Sequence, residues 1–336
     1  MLHESPVKVE TEIDPRIKLL SYSSLLTLHS CPRKFELYRL KATENELNPE
    51  AAINQNVTFA FGHVIGDAIQ QLMAGMDEDK VLLNMFLGWH ADLMDKNDKQ
   101  MKSFWLAVIA MQRFKAMRDA GLFDDYEILV YNGKPACELA FNILFPGGFK
   151  MRGSVDAVLR HKESGEIVVL EVKTSSAVNL NPTTYQNSSQ AIGYSVVLDV
   201  IAPEVSSYKV IYLIYMSKQQ TYEMLQFSKT YLQRATWIQE LLLDIESIKM
   251  YAEAGVYPMR GESCTDWGRN CEYLNQCTSN NAYVTIPFNE NSVLDEKVYD
   301  IELTLMDLLS SQLDKNTAVL DEAEILTADT DIKEVL

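Results

Sequence analysis

The sequence predicts an α/β fold, a mixed central sheet flanked by helices with a helical lobe inserted ahead of the sheet. Three observations predict it. Residues 126–175 hold four segments with the two-residue period of strands. Residues 80–120 carry apolar side chains at helical spacing. Residues 185–216 read as a helix leading into a strongly apolar strand.

The elements follow in order. Residues 21–40 read as a short helix carrying the run CPRKFEL from Cys31, and residues 61–73 as a second helix containing His63. Between them, 41–56 is a polar, Asn-rich loop. Val81, Leu82, Met85, Phe86 and Trp89 give 80–120 its helical spacing. The strands are YEILVY from Tyr126, ACELAFNILF from Ala136, MRGSVDAVLR from Met151 and EIVVLEVKTS from Glu166. A helix over 185–200 precedes strands at 208–216 and 222–227. Residues 229–254 form a long amphipathic helix, ended by Gly255 with Pro258 just beyond. A cysteine-rich loop follows, then a final helix over 295–311. The last twenty residues, acidic and poor in aromatics, read as a mobile tail. No repeat and no GxxxxGK[ST] loop is present, so any unwinding motor would be another protein.

Chemistry concentrates at Asp156, Glu171 and Lys173. In the strand from Glu166, residues Ile167, Val169, Glu171 and Lys173 share one face, with Val168, Leu170 and Val172 on the other. If Lys162-Glu163-Ser164-Gly165 is a turn, His161 pairs with Glu166, and the same register sets Asp156 opposite Glu171. Opposed Cβ atoms lie roughly 5 Å apart. Two carboxylates there repel unless a cation or a proton lies between them. Taken alone, the segment is an ordinary half-solvated hairpin with a Glu–Lys pair.

Composition bounds the function. Of 336 residues, 47% are hydrophobic and 23% charged, which is ordinary for a soluble globular protein, and no apolar run has the length of a membrane span. The start, MLHESPVKVETEIDPR, is too polar and acidic for a signal or transit peptide, so a cytoplasmic location is expected. A formal charge of −17 argues against tight, non-specific binding of nucleic acid by the isolated chain. Residues 290–336 hold 13 acids against Lys297, Lys315 and Lys333, so most of the excess sits at the end, and any nucleic-acid surface would be completed by a partner. Cys137, inside a strand, reads as a small buried hydrophobe.

Asp156, Glu171-Val172-Lys173 and the pair Gln190 and Tyr194 together resemble the PD-(D/E)xK nuclease superfamily. The closest branch is similar to the RecB-type nucleases, including the iron-sulfur enzymes of CRISPR adaptation and of the AddAB recombination complex. Ser21, Ser23, Cys31, Pro32 and Phe35 stand in that branch's SxSxxxxxxxCPxxF pattern, and Gly62-His63 match its His-bearing helix. The resemblance covers roughly residues 21–277. It implies a restriction-endonuclease-like sheet, with a cysteine-bound cluster tying the N- and C-terminal parts. The segments it implies are 1–57 with the first cluster cysteine, 58–125 as the helical lobe, 126–257 as the nuclease core, 258–289 as the cysteine region and 290–336 as the acidic helix and tail.

The resemblance further implies that Asp156, Glu171, the carbonyl of Val172 and His63 bind Mg²⁺ or Mn²⁺. Lys173 then steadies the attacking hydroxide and the phosphate. Gln190 and Tyr194, four apart on a helix, contact the DNA backbone or support Lys173. Glu138 is a candidate additional acid, with Glu127 competing for the role. His29 has no such support and is structural. Cys31, Cys264, Cys271 and Cys277 supply the four thiolates of a 4Fe–4S cluster. Their CxxxxxxC spacing departs from the branch's usual CxxC, which keeps structural Zn²⁺ open. The implied function is a metal-dependent DNA nuclease, an exonuclease in repair, recombination, replication or invader defence, from a bacterium or phage-infected cell. A helicase, recombination or replication protein would dock through the acidic C-terminal region. Alternatives are a non-catalytic DNA-binding or assembly subunit and an RNA-directed nuclease.

Overall fold

A computed structural model describes residues 13–46, 56–199, 201–202, 208–266, 269–278 and 298–311. The chain runs through β1 (Leu19–Leu20), α1 (Tyr22–Ser30), α2 (Pro32–Glu46), α3 (Val57–Met73), α4 (Glu78–Leu87) and α5 (Phe104–Asp119). The strands β2 (Tyr126–Ile128), β3 (Cys137–Phe145), β4 (Phe149–His161) and β5 (Ile167–Ser175) come next. After them lie α6 (Pro182–Gln186), α7 (Ser189–Leu198), β6 (Tyr208–Met216), β7 (Thr221–Lys229), α8 (Tyr231–Ala254) and β8 (Ile301–Thr304). The last twenty residues, expected as a tail, and most of the expected 41–56 loop lie outside the described residues.

Local chemistry moves several boundaries. The helix expected over 21–40 is two helices. Ser21 caps α1 by accepting the Ser24 N–H, and Cys31 ends it in an extended conformation (φ −160°, ψ 107°). Pro32 explains the break: proline holds its predecessor out of the helical region and is favoured at a helix's first position. Helix α2 then runs on to Glu46, where a loop was expected from residue 41. Asn56 accepts the Thr58 N–H and starts α3 at Val57, four residues before the apolar pattern indicated. The helix expected over 185–200 is likewise divided, with Asn181 capping α6 and a new helix beginning at Ser189.

The final helix expected over 295–311 is corrected. Ile301 and Leu303 are buried while Glu302 and Thr304 are exposed, a two-residue period, and these four residues form a strand. Helix follows only from residue 305.

The sheet is mixed and flanked by helices, as expected. Its order is β7-β6-β5-β4-β3-β8, with β1 and β2 also joined to β4. Strands β5 and β6 are parallel, from Val168 beside Lys209 to Ser175 beside Met216, whereas β4–β5 and β6–β7 are antiparallel. By compactness the chain forms two units. One comprises Met1–Ile53, Leu144–Gly153 and Ile238–Val298; the other comprises Asn54–Ile143, Ser154–Trp237 and Tyr299–Leu336. Among the described residues no helix is long and apolar enough to cross a membrane.

In the first unit, helices α1 and α2 meet the segment after α8. The Arg33 N–H donates to Pro258 O at 3.1 Å, and Ser263 Oγ donates to Ser30 O at 2.7 Å. His29 lies 2.9 Å from Asp244, and that hydrogen bond raises the imidazole's pKa.

In the second unit the two faces of β5 have different tasks. Val168, Leu170 and Val172 join a buried cluster with Phe61, Val64, Ile65 and Ala68 of α3 and with Phe104, Ala107 and Met111 of α5. The apolar side chains of two helices therefore cover that face. The opposite face carries Glu171 and Lys173, and Lys173 meets α7 through Gln190. Helix α7 is buried from Ala191 to Leu198 and ends at Asp199, which forms a fully buried ion pair with Arg234 of α8. The Arg234 guanidinium also lies over the Tyr208 ring, 4.8 Å from its centroid. Burial lowers its pKa to about 10.

Candidate active site

The β4–β5 hairpin sets the site. Its ladder pairs Arg160 with Ile167 and Ala157 with Leu170, so the next position, Asp156, lies across from Glu171. The turn is the expected one, with the His161 N–H donating to Glu166 O at 2.9 Å. Beyond Ala157 a side chain replaces the ladder: Asp156 Oδ2 accepts the Val172 N–H at 3.0 Å. That bond takes the Asp156 carboxylate to the backbone of β5, beside the next acid.

Glu171 is 1% exposed. Lys173 Nζ stands 2.5 Å from its Oε1 as a close ion pair. Its Oε2 has no hydrogen-bond partner among the described residues, so one side of the carboxylate is unsatisfied. A buried anion left in that state is costly without a cation. Burial, and then the Glu171 charge, raise Asp156 well above the usual carboxylate range, the Val172 N–H acting the other way. Burial also raises Glu171, with Lys173 opposing it. For Lys173 the upward direction results because Glu171 and Asp156 outweigh the desolvation that pulls it down. Two carboxylates with raised pKa values beside a charged lysine form a site that favours a further positive charge.

Gln190 and Tyr194 of α7 continue the network. Lys173 Nζ donates to Gln190 Oε1 at 3.1 Å, and Gln190 Nε2 donates to Tyr194 Oη at 2.6 Å. Tyr194 is buried and packs edge-on against Phe141 at 6.2 Å. Gln190 thus touches Lys173 directly, and Tyr194 touches Gln190.

His63 lies exposed on α3, whose Gly62 comes close to Thr174: a Cβ at Gly62 would stand 3.6 Å from Thr174 Oγ1. One turn on, Asp67 has a pKa raised first by burial and then by Glu138, with His63 lowering it. Asp67 was missed in the sequence, and its signal was its place four residues after His63 on one helical face. Glu138 takes φ +50°, a left-handed conformation uncommon outside glycine. Its carboxylate accepts from Gln70 Nε2 and Ser154 Oγ, both at 2.7 Å, and its charge also raises Asp156 and Glu171. Glu127 is not brought there. It is exposed on β2 opposite Arg160, four residues along β4 from Asp156, about 13 Å away.

Among the described residues, no three His, Cys, Asp or Glu side chains converge tightly enough to hold a metal ion. Asp156 and Glu171 fit one in their chemistry, two hard oxygen donors with one carboxylate unsatisfied. Cys31 is buried between α1 and α2, and Cys264 and Cys271 are joined by the Cys271 N–H donating to Cys264 O at 2.8 Å. Cys277 lies on a short helix, Leu274–Thr278; burial raises its thiol pKa, and Cys271, Cys31 and Cys264 add to the rise. All four belong to the first unit. Cys137 is half-buried rather than buried. Its Sγ lies 3.9 Å from Gln70 O, and burial followed by the Glu138 charge pushes its pKa up to about 11.

A stability prediction follows from Asp156. Its folded pKa is raised, so the metal-free protein binds this proton more tightly when folded. Stability is then lost as pH rises from about 4 through the raised folded value. Asp156→Asn keeps an oxygen for the Val172 N–H and removes the repulsion. The metal-free variant is expected to gain roughly 0.5–2 kcal/mol near neutral pH and to show a flatter pH profile in urea unfolding.

No curated protein matches the chain significantly. A solved structure described as "Crystal structure of SSO0001" is similar at 15% identity, covering 63% of this chain and 83% of that one, with a TM-score of 0.27, too loose to bear on function. The sequence profile of the PD-(D/E)XK nuclease superfamily matches residues 19–278, which include the hairpin, α3, α7 and all five cysteines. Given that match over most of its length, the chain belongs to the PD-(D/E)XK nuclease superfamily.

Proposed function

We propose that the protein is a metal-dependent deoxyribonuclease, working as an exonuclease in DNA repair, recombination, replication or defence. The observation that carries the reading is Glu171, fully buried and with a carboxylate unsatisfied on one side, opposite Asp156 and 2.5 Å from Lys173. Asp156, Glu171 and the Val172 carbonyl would hold Mg²⁺ or Mn²⁺, with His63 on the neighbouring helix. Such an ion supplies Lewis-acid stabilisation of the phosphate and a more acidic water. The chain's own residues do the rest. Glu171 keeps Lys173 protonated, Gln190 fixes the direction of its Nζ, and that ammonium stabilises charge developing on the phosphate.

Incubating the protein with Mn²⁺ or Mg²⁺ and end-labelled linear DNA, closed circular DNA and RNA of matched sequence tests the reading. Loss of linear DNA alone, blocked by EDTA, is expected. Cleavage of the circle contradicts the exonuclease role, RNA cleavage alone contradicts the DNA substrate, and no cleavage of any substrate contradicts the enzyme.

The four cysteines belong to the same proposal. Cys31, Cys264, Cys271 and Cys277 lie within one unit, where Cys277 feels the other three, and four thiolates suit a 4Fe–4S cluster. Anaerobically purified protein is expected to be brown with four irons per chain. A colourless protein with one zinc overturns this.

A further inference from the structure

We propose that Lys229 is a positioning residue: by holding the last residue of α6 it sets the α6–α7 junction from which Gln190 reaches the Lys173 ammonium. The inference rests on the reading of Lys173 as the working cation of a nuclease site.

Lys229 closes β7 and is fully buried. Among the described residues its Nζ makes one hydrogen bond, donated to Gln186 O at 2.6 Å, and no carboxylate pairs with it. The Phe227 ring lies beneath it at 5.9 Å. An ammonium without a counter-charge is expensive to bury, and burial lowers its pKa to about 8. Methionine would fill similar space without that cost. What lysine adds is the bond to Gln186.

That bond falls where the chain otherwise lacks support. Gln186 ends α6, where helical carbonyls have no partners within the helix. Residues 181–187 are exposed except for the half-buried Tyr185, so packing alone holds them poorly. Two further contacts pin the same junction. Trp237 Nε1 donates to Ser189 Oγ at 3.0 Å, and the Tyr185 ring packs on Tyr212 at 5.1 Å. Gln190 is the second residue of α7, one step past the Ser189 anchor, and its amide bridges Lys173 Nζ and Tyr194 Oη. A junction that slips moves Gln190, and the ammonium loses its fixed direction.

A double-mutant cycle on the full chain tests this, by steady-state cleavage of an end-labelled oligonucleotide in Mn²⁺. Lys229→Met is expected to lower kcat about tenfold or more with KM little changed, and Lys229→Arg to restore most of the loss. In a Gln190→Ala background, Lys229→Met is expected to cost nothing further, because Gln190 transmits its effect. An equal loss in both backgrounds, or no loss in the first, overturns the proposal. Trp237→Phe, which removes the Ser189 anchor, is expected to give the same cycle and serves if Lys229→Met does not fold. NMR of ¹³C-methylated lysines supplies a readout independent of turnover. The Lys173 resonance, assigned by its loss in Lys173→Arg, is expected to shift in Lys229→Met and not to shift further when Gln190→Ala is added. That pattern in a protein that cleaves nothing defeats the nuclease reading and leaves the positioning role standing. An unmoved resonance overturns the positioning role whatever the turnover.

Discussion

Lys173→Ala is expected to lower the cleavage rate about 10²–10³-fold, the loss seen when one preorganised donor is taken from a developing anion. The ammonium is the only cation within ion-pair distance of Glu171 among the described residues, and both Glu171 and Asp156 act to keep it charged. Its removal also strips Glu171 of its ion pair, so the variant is expected to be less stable in the absence of metal. Circular dichroism separates that effect from the chemical one. A folded variant cleaving within about twofold of wild type contradicts the role of Lys173.

Asp199→Ala is expected to cost about 3–5 kcal/mol in urea unfolding, because it leaves the buried Arg234 guanidinium without its counter-charge. Both partners are inaccessible to water, so no solvent compensates. Asp199 follows directly on α7, the helix that carries Gln190 and Tyr194, and the loss should therefore reach the site as well as the fold. Replacing both partners together, as Asp199→Leu with Arg234→Met, is expected to recover most of the stability, since an apolar pair of similar volume carries no desolvation cost. A single variant as stable as wild type contradicts the account of this pair.

The hairpin was legible because a two-residue period and a four-residue turn fix register without tertiary information. Its consequence, Asp156 opposite Glu171, could be counted along the chain. The bond from Gln190 to Lys173 was foreseeable only through the family resemblance, since a pair four apart on a helix says nothing of what it faces. Glu138 could not be resolved from Glu127. The choice depended on a left-handed residue at the start of β3 and on which end of β4 each strand meets. Asp67 was hidden for the same reason: α3 is placed by its apolar face, and only that placement brings Asp67 within range of the Glu138 charge. The helix break at Cys31 is different. Pro32 announced it in the sequence, and the apolar spacing of its neighbours obscured it.

The central claim, that Asp156 and Glu171 with Lys173 form one metal-dependent hydrolytic centre, is tested most directly by single-turnover cleavage of one oligonucleotide in Mn²⁺ by wild type and Asp156→Asn. The account predicts cleavage by wild type, stopped by EDTA, and its loss in a variant that unfolds at an equal or higher urea concentration. Cleavage by Asp156→Asn at the wild-type rate, or undiminished in EDTA, would contradict it.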